Sequence, residues 1–127
     1  MHENIVRLLM ENNVQQLYVT NRSTAAAAHR LSAGSSSLHC DLSTNEKIAY
    51  ELALAGAYAD KRTACILSTE GLYDALDPVM SSAYTGVAGS FVVVAVQENP
   101  EEITPVGLFS KLPLIVTETE GELSKAV

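Results

Sequence analysis

Ser43-Thr44-Asn45-Glu46 places a carboxylate at the head of a run with helical spacing. Two chemistries are open to it. In a capping box, Ser43 caps the helix and Glu46 reaches back to the cap's amide. In a ligand site, the same carboxylate is buried and bonds a ring nitrogen. One carboxylate would then serve two donors, so the readings compete. A raised pKa would mark the ligand site, and a lowered one the cap.

Other chemistry-bearing side chains are scattered. His2 is terminal, His29 reads as a surface residue of an alanine-rich helix, and His39 reads as a core histidine in a strand. Cys40 and Cys65 sit in apolar runs without a Cys-x-x-Cys pattern and read as small buried apolar residues. The chain alone therefore holds no zinc or iron–sulfur site and no disulfide framework. Glu98, Glu101 and Glu102 read as a solvated loop face.

Gly-x-Gly-x-x-Gly, the P-loop pattern and Gly-x-Ser-x-Gly are all absent, which argues against dinucleotide binding, P-loop phosphate binding and a hydrolase elbow. A phosphoacceptor receiver would want paired acids after the first strand, where Thr20-Asn21-Arg22 stands instead. Ala83-Tyr84-Thr85-Gly86-Val87 closes a helix, with Gly86 suited to the C′ position and Tyr84 to the core.

The elements that must position these residues follow from periodicity. Residues 2–12 read as a helix with Ile5, Val6, Leu8 and Leu9 on one face, and 14–20 as a strand. Residues 23–33 read as a helix capped by Ser23 or Thr24 and stopped at Gly34. A short strand at 37–42 precedes a helix at 44–60, whose face of Ile48, Ala49, Leu52, Ala53, Gly56 and Ala57 implies close packing on a sheet. Residues 63–68 read as a strand. Residues 71–85 read as a helix with a kink or restart at Asp77-Pro78, and 90–96 as a strand covered on both faces. Residues 97–110 read as irregular, 112–117 as a fifth strand, and 118–127 as the start of a helix.

Strands alternating with helices predict an α/β fold with a mainly parallel sheet between two helical layers. Ligands of such sheets bind outside the carboxyl ends of the strands, after Thr20, Leu42, Ser68 and Val96. The 127 residues suit one domain, and 47% apolar content suits a real core. Fifteen acids against eight bases give a net charge of −7, which argues against nucleic acid and anionic membrane as partners. The sequence shows no signal peptide or membrane span, so the expected compartment is the cytoplasm.

Two stretches carry a resemblance. The first is Asn45-Glu46-Lys47-Ile48-Ala49, running on to Gly56-Ala57-Tyr58-Ala59. The second is Gly71-Leu72, Asp77-Pro78-Val79-Met80, Ala83-Tyr84-Thr85-Gly86-Val87 and the strand at 92–96. Together they resemble the pyrimidine-binding domain of 2-oxoacid:ferredoxin oxidoreductases, above all the indolepyruvate enzyme's alpha subunit and then the pyruvate enzyme. The likeness is specific over about residues 44–96 and diffuse on either side.

The resemblance implies thiamine diphosphate with magnesium, shared with a partner diphosphate-binding domain or subunit. It implies oxidative decarboxylation of a 2-oxoacid, with iron–sulfur clusters on partner chains only and a ferredoxin-type acceptor. The family's activating glutamate falls on Glu46, which bonds the aminopyrimidine ring nitrogen. Gly71, Tyr84 and Thr85 fall at cofactor-binding positions, and Asp77 braces the pocket and the subunit interface. Arg22, Ser23 and Thr24 stand where the family's loop meets the substrate.

That family loop resembles Tyr-Pro-Gly-Thr-Pro-Ser, whereas here it is Val19-Thr20-Asn21-Arg22-Ser23-Thr24. Gln97-Glu98-Asn99-Pro100-Glu101-Glu102-Ile103 likewise departs from the family's Ser-Gln-Asn-Glu-Gln-Asp-like segment. The Gly-Asp-Gly…Asn signature of the diphosphate domain is absent. The resemblance thus implies half a site, on a single domain truncated or reduced at its C-terminus, in a homodimer or hetero-oligomer. The rival expectation is a catalytically silent assembly module that keeps the fold and the dimer face. A Glu46 folded back on the Ser43 amide would favour that rival.

Overall fold

A computed structural model describes residues 1–34, 37–96 and 104–127. The expected loop face of Glu98, Glu101 and Glu102, and the whole segment 97–103, lie outside the described residues. The elements are α1 (His2–Glu11), β1 (Gln16–Val19), α2 (Arg22–Ser32), β2 (His39–Leu42), α3 (Glu46–Tyr58), β3 (Arg62–Ser68), α4 (Thr69–Asp74), α5 (Leu76–Thr85), β4 (Ser90–Val96), α6 (Thr104–Ser110) and α7 (Glu120–Ala126).

The strands form one parallel sheet in the order β2-β1-β3-β4. Strand side chains alternate between faces, so each strand feeds two cores. Leu17, Val19, Ala64 and Ile66 meet Val6 and Leu9 of α1 and Ala25 and Ala28 of α2. Cys65 and Leu67 meet Ala49, Tyr50 and Ala53 of α3, with Leu72 and Val79 from α4 and α5. The result is a three-layer α/β/α fold, as the alternation predicts. The chain goes one way from β1 to β2 and the other way from β2 to β3, which sends α2 and α3 to opposite faces when crossovers are right-handed.

Helix α3 lies close on the sheet. A Cβ at Gly56 would collide with the Gln16 side chain and come within 2.7 Å of Thr63 Cγ2. The Thr63 hydroxyl donates to the Ala53 carbonyl at 2.7 Å, fixing that approach. Tyr50 and Ser82 hydroxyls lie 2.7 Å apart and tie α3 to α5. The Tyr50 ring meets Phe91 of β4 edge-on, with centroids 4.9 Å apart. Helix α4 ends at Ala75, where α5 begins, so the helix restarts just before Asp77-Pro78 as expected. Gly86 closes α5 at φ +64°, a conformation that disfavours any residue with a Cβ.

Several expectations are corrected. Asn21 caps α2, not Ser23 or Thr24, because its Oδ1 accepts from the Ser23 and Thr24 amides. Asn45 caps α3, not Ser43, with its Oδ1 accepting from the Ile48 amide at 2.9 Å. Residues 104–110 form a helix, since Pro105 falls in its first turn, where its missing N–H costs nothing.

Residues 112–117 form no strand, so the sheet has four strands among the described residues. Pro113 cannot donate to a ladder. This strap packs on α6 instead, where a Cβ at Gly107 would come within 3.0 Å of Leu114.

The expected inner face of α3 is also partly wrong. Ile48 and Leu52 are exposed, while Tyr50 and Leu54 are buried. Strand β4 is an edge strand, half-buried along 91–96 rather than fully covered. His39 is exposed and not a core residue, because β2 is the opposite edge.

Candidate functional site at the carboxyl edge

The strand order reverses at β1, which leaves a crevice between the loops after β1 and β3. This is where doubly wound sheets take their ligands. A cleft of about 490 Å³ opens there. Its polar lining is His2, Thr20, Asn21, Thr24, Glu46 and Ser68, its apolar wall is Ile66, Leu67 and Val96, and Met1 stands at its rim beside His2.

Glu46 begins α3 at this edge and is half-buried. Asn45 caps the helix, so the carboxylate is free of that duty. The Thr20 hydroxyl donates to Glu46 Oε1 at 3.3 Å, linking the β1 loop to α3. Gly71, buried in α4, makes room for the carboxylate arm. A Cβ there would overlap Glu46 Cγ and come within 2.9 Å of its Cβ and Cδ. Ser68 holds the start of α4 in place, its Oγ accepting the Gly71 amide at 3.0 Å. Lys47 and Asp77 make an exposed ion pair at 3.3 Å that joins α3 to α5, a contact of small energetic weight.

The predicted substrate residues divide. Thr24 is fully buried and lines the cleft, with its Oγ1 3.0 Å from His2 Nδ1. Arg22 and Ser23 are exposed and do not line it. Ser23 bonds Asn21 Oδ1 through both its amide and its hydroxyl, at 2.8 and 2.6 Å.

Tyr84 and Thr85 sit at the far end of α5, away from the cleft. Thr85 Oγ1 lies 2.6 Å from the Tyr58 hydroxyl. Tyr58 is twelve residues, or about 18 Å, along α3 from Glu46. Tyr84 is 89% exposed, against the expectation of a core residue.

Sequence reasoning missed His2, Thr20 and Ser68. His2 reads as a terminal residue in the sequence, and only the fold brings α1's first residue to the crevice. Thr20 follows the last residue of β1 and Ser68 closes β3, and that place at a strand's carboxyl end is a signal in itself.

Burial pushes the Cys40 thiol up to about 11, and nearby Asp41 adds to the rise. Burial raises Cys65 further still. Both are free, so neither is a poised nucleophile. Among the described residues no group of three His, Cys, Asp or Glu could hold a metal, and no helix is long and apolar enough to cross a membrane. A larger groove of about 610 Å³ runs along β4 beneath the strap at 112–119. Its walls are mostly aliphatic, and it contains none of the predicted site residues.

Comparison with known proteins finds relatives of one kind. The chain is 32% identical over 99 residues to the indolepyruvate oxidoreductase subunit IorA of Archaeoglobus fulgidus, covering 72% of this chain and 16% of that protein. Against the IorA subunit of Pyrococcus abyssi it is 30% identical over 97 residues, covering 71% of this chain and 15% of that one. Against that of Methanothermobacter thermautotrophicus it is 38% identical over 61 residues, covering 48% and 10%. This chain thus spans about a sixth of the length of the first of these relatives. No family model and no solved structure matches. The resemblance read from the sequence is borne out: over 72% of its length the chain is a relative of a segment of the indolepyruvate oxidoreductase subunit IorA.

Proposed function

We propose that this chain is the pyrimidine-binding part of a thiamine-diphosphate-dependent 2-oxoacid:ferredoxin oxidoreductase of the cytoplasm. The observation that supports the reading best is the Glu46 carboxylate. It stands half-buried at the switch-point cleft, is not engaged as its helix's cap, accepts from Thr20, and lies in the notch left by Gly71.

These residues fit an aminopyrimidine. Glu46 supplies a carboxyl for a ring nitrogen, and Ile66, Leu67 and Val96 supply an apolar wall for a flat heterocycle. Bound there, thiamine diphosphate would supply the carbon nucleophile for attack on the 2-oxo carbon and the electron sink for loss of carbon dioxide. The chain's own part is a proton relay. Glu46 shares a proton with the ring nitrogen at its Oε atoms, and Thr20 orients the carboxylate by donating to Oε1. The apolar wall thins the water around that proton.

Diphosphate, magnesium and iron–sulfur clusters fall to partner domains or chains, with a ferredoxin-type protein as acceptor. The exposed Ile48, Leu52, Tyr58 and Tyr84 on α3 and α5 give such a partner, or a second copy, an apolar face.

One observation favours the rival reading, a silent assembly module. Arg22 and Ser23 stand outside the cleft, so the loop meets it only through Thr20, Asn21 and Thr24.

The test is to mix the chain with a diphosphate-domain subunit from the same organism. Cofactor binding and 2-oxoacid oxidation are measured with wild type and Glu46→Gln. The enzyme reading expects binding by the mixture and at least a 100-fold loss of turnover in the variant, the order seen when a proton-transfer group is removed. A stable complex with no cofactor-dependent activity, or a variant equal to wild type, overturns it and leaves the silent module.

A further inference from the structure

We infer that His2 anchors the carboxylate of the substrate in the switch-point cleft, in the place the sequence suggests for Arg22. The inference rests on the functional reading above. A 2-oxoacid carries a carboxylate beside its carbonyl. Taking that anion out of water needs a hydrogen-bond donor, and a charged donor serves best.

Arg22 is exposed and does not line the cleft. Among the described residues that do line it, His2 is the one side chain able to carry positive charge. Its ring is held by a fixed partner. Thr24 is fully buried, its amide donates to Asn21 Oδ1 at 3.2 Å, and its Oγ1 lies 3.0 Å from His2 Nδ1. Nε2 carries a proton to give when the ring is an imidazolium, or when the Thr24 hydroxyl donates to Nδ1 of the neutral ring.

The first turn of α1 also stands at this cleft, and its positive dipole end adds to the attraction for an anion. Glu46 in the same cleft is assigned to the cofactor's ring nitrogen. The cleft then holds one group for the cofactor and another for the substrate. Thr24 is the positioning residue, because it acts through His2.

The test uses the chain assembled with its diphosphate-domain partner, with pyruvate and indolepyruvate as probes. His2→Ala is expected to raise KM about tenfold, the effect of losing a charge-assisted hydrogen bond. The turnover number stays within about twofold, and cofactor affinity holds. His2→Gln, which retains a neutral N–H donor, raises KM less than His2→Ala. Thr24→Val raises it in the same direction.

A residue that only props α1 against α2 would lower the melting temperature and leave KM unmoved, and that result overturns the inference. So does a KM increase that appears in Arg22→Gln instead. If the wild-type assembly binds no thiamine diphosphate, the functional reading fails by itself. His2 is then tested on the chain alone by imidazole 15N shifts during pyruvate titration. A saturable shift confined to His2 upholds an anion site, and an equal drift of His2, His29 and His39 overturns it.

Discussion

The side chain of Glu46 lies where a methyl group on Gly71 would have to be. Helices α3 and α4 meet at that point, and the absence of one carbon sets where the carboxylate stands. Gly71→Ala should therefore displace Glu46 as well as crowd α4. The expected loss of stability is about 1–3 kcal/mol, as for other overpacked sites. Cofactor binding by the assembled protein should fall with it. Thermal unfolding and calorimetric titration check the two effects separately. A variant that keeps full cofactor affinity would show that the notch does not position the carboxylate.

The caps of α3 make a sharper comparison. Asn45→Ala removes the acceptor of the Ile48 amide and should cost about 1 kcal/mol. Ser43→Ala loses only a 3.3 Å bond from Ser43 Oγ to Asp41, so it should cost less. Urea denaturation of both variants checks the order. The reverse order would restore the capping box that Ser43 and Glu46 suggest in the sequence.

Alkaline pH should unfold the protein through its core. Burial pushes Tyr50 up to about 12 and Cys40 to about 11, and raises Cys65 as well. All three are neutral when protonated, and the folded state keeps them so. The stability they contribute is complete below the unfolded-state pKa values. It is lost as pH rises from about 9, because the unfolded chain then releases protons that the folded chain retains. Each group contributes up to about 1.4 kcal/mol per pH unit. Denaturation midpoints at pH 7 to 11 check the sign, and Cys65→Ala should flatten the fall.

Gly107→Ala should loosen the strap. Its new methyl would press on Leu114, at 2.9–3.0 Å. Faster amide hydrogen exchange across 112–117 is expected, with exchange in β1 and β3 unchanged. Equal acceleration everywhere would mean that the strap and sheet open as one unit.

Much of this fold is legible in the sequence because its signals are local. The runs at 2–12, 44–60, 63–68 and 90–96 carry their own periodicity and become α1, α3, β3 and β4. What fails depends on neighbours. Ile48 and Leu52 share a helical stripe with Ala49 and Ala53, yet the small residues turn toward the sheet because Gly56 must reach Thr63. His39 looks buried by its apolar company, but β2 is an edge strand and the face it points to is open. Residues 112–117 have strand composition, yet pairing needs amides in register, and Pro113 removes one.

The site follows the same division. Glu46 is visible as a residue type at the head of a helix. That Asn45 frees it, and that His2 comes to stand in the same cleft, depends on the strand order β2-β1-β3-β4, which no local pattern encodes.

The two free thiols lie on opposite sides of the sheet. Cys40 is packed in the layer of α1 and α2, and Cys65 in the layer of α3, α4 and α5. Each is buried, protonated and unreactive until its own layer lifts. A thiol-labelling time course on the unmodified protein thus becomes a two-channel clock. Labelling of Cys40 ahead of Cys65 would time the departure of the first helical layer, and simultaneous labelling would time the collapse of both.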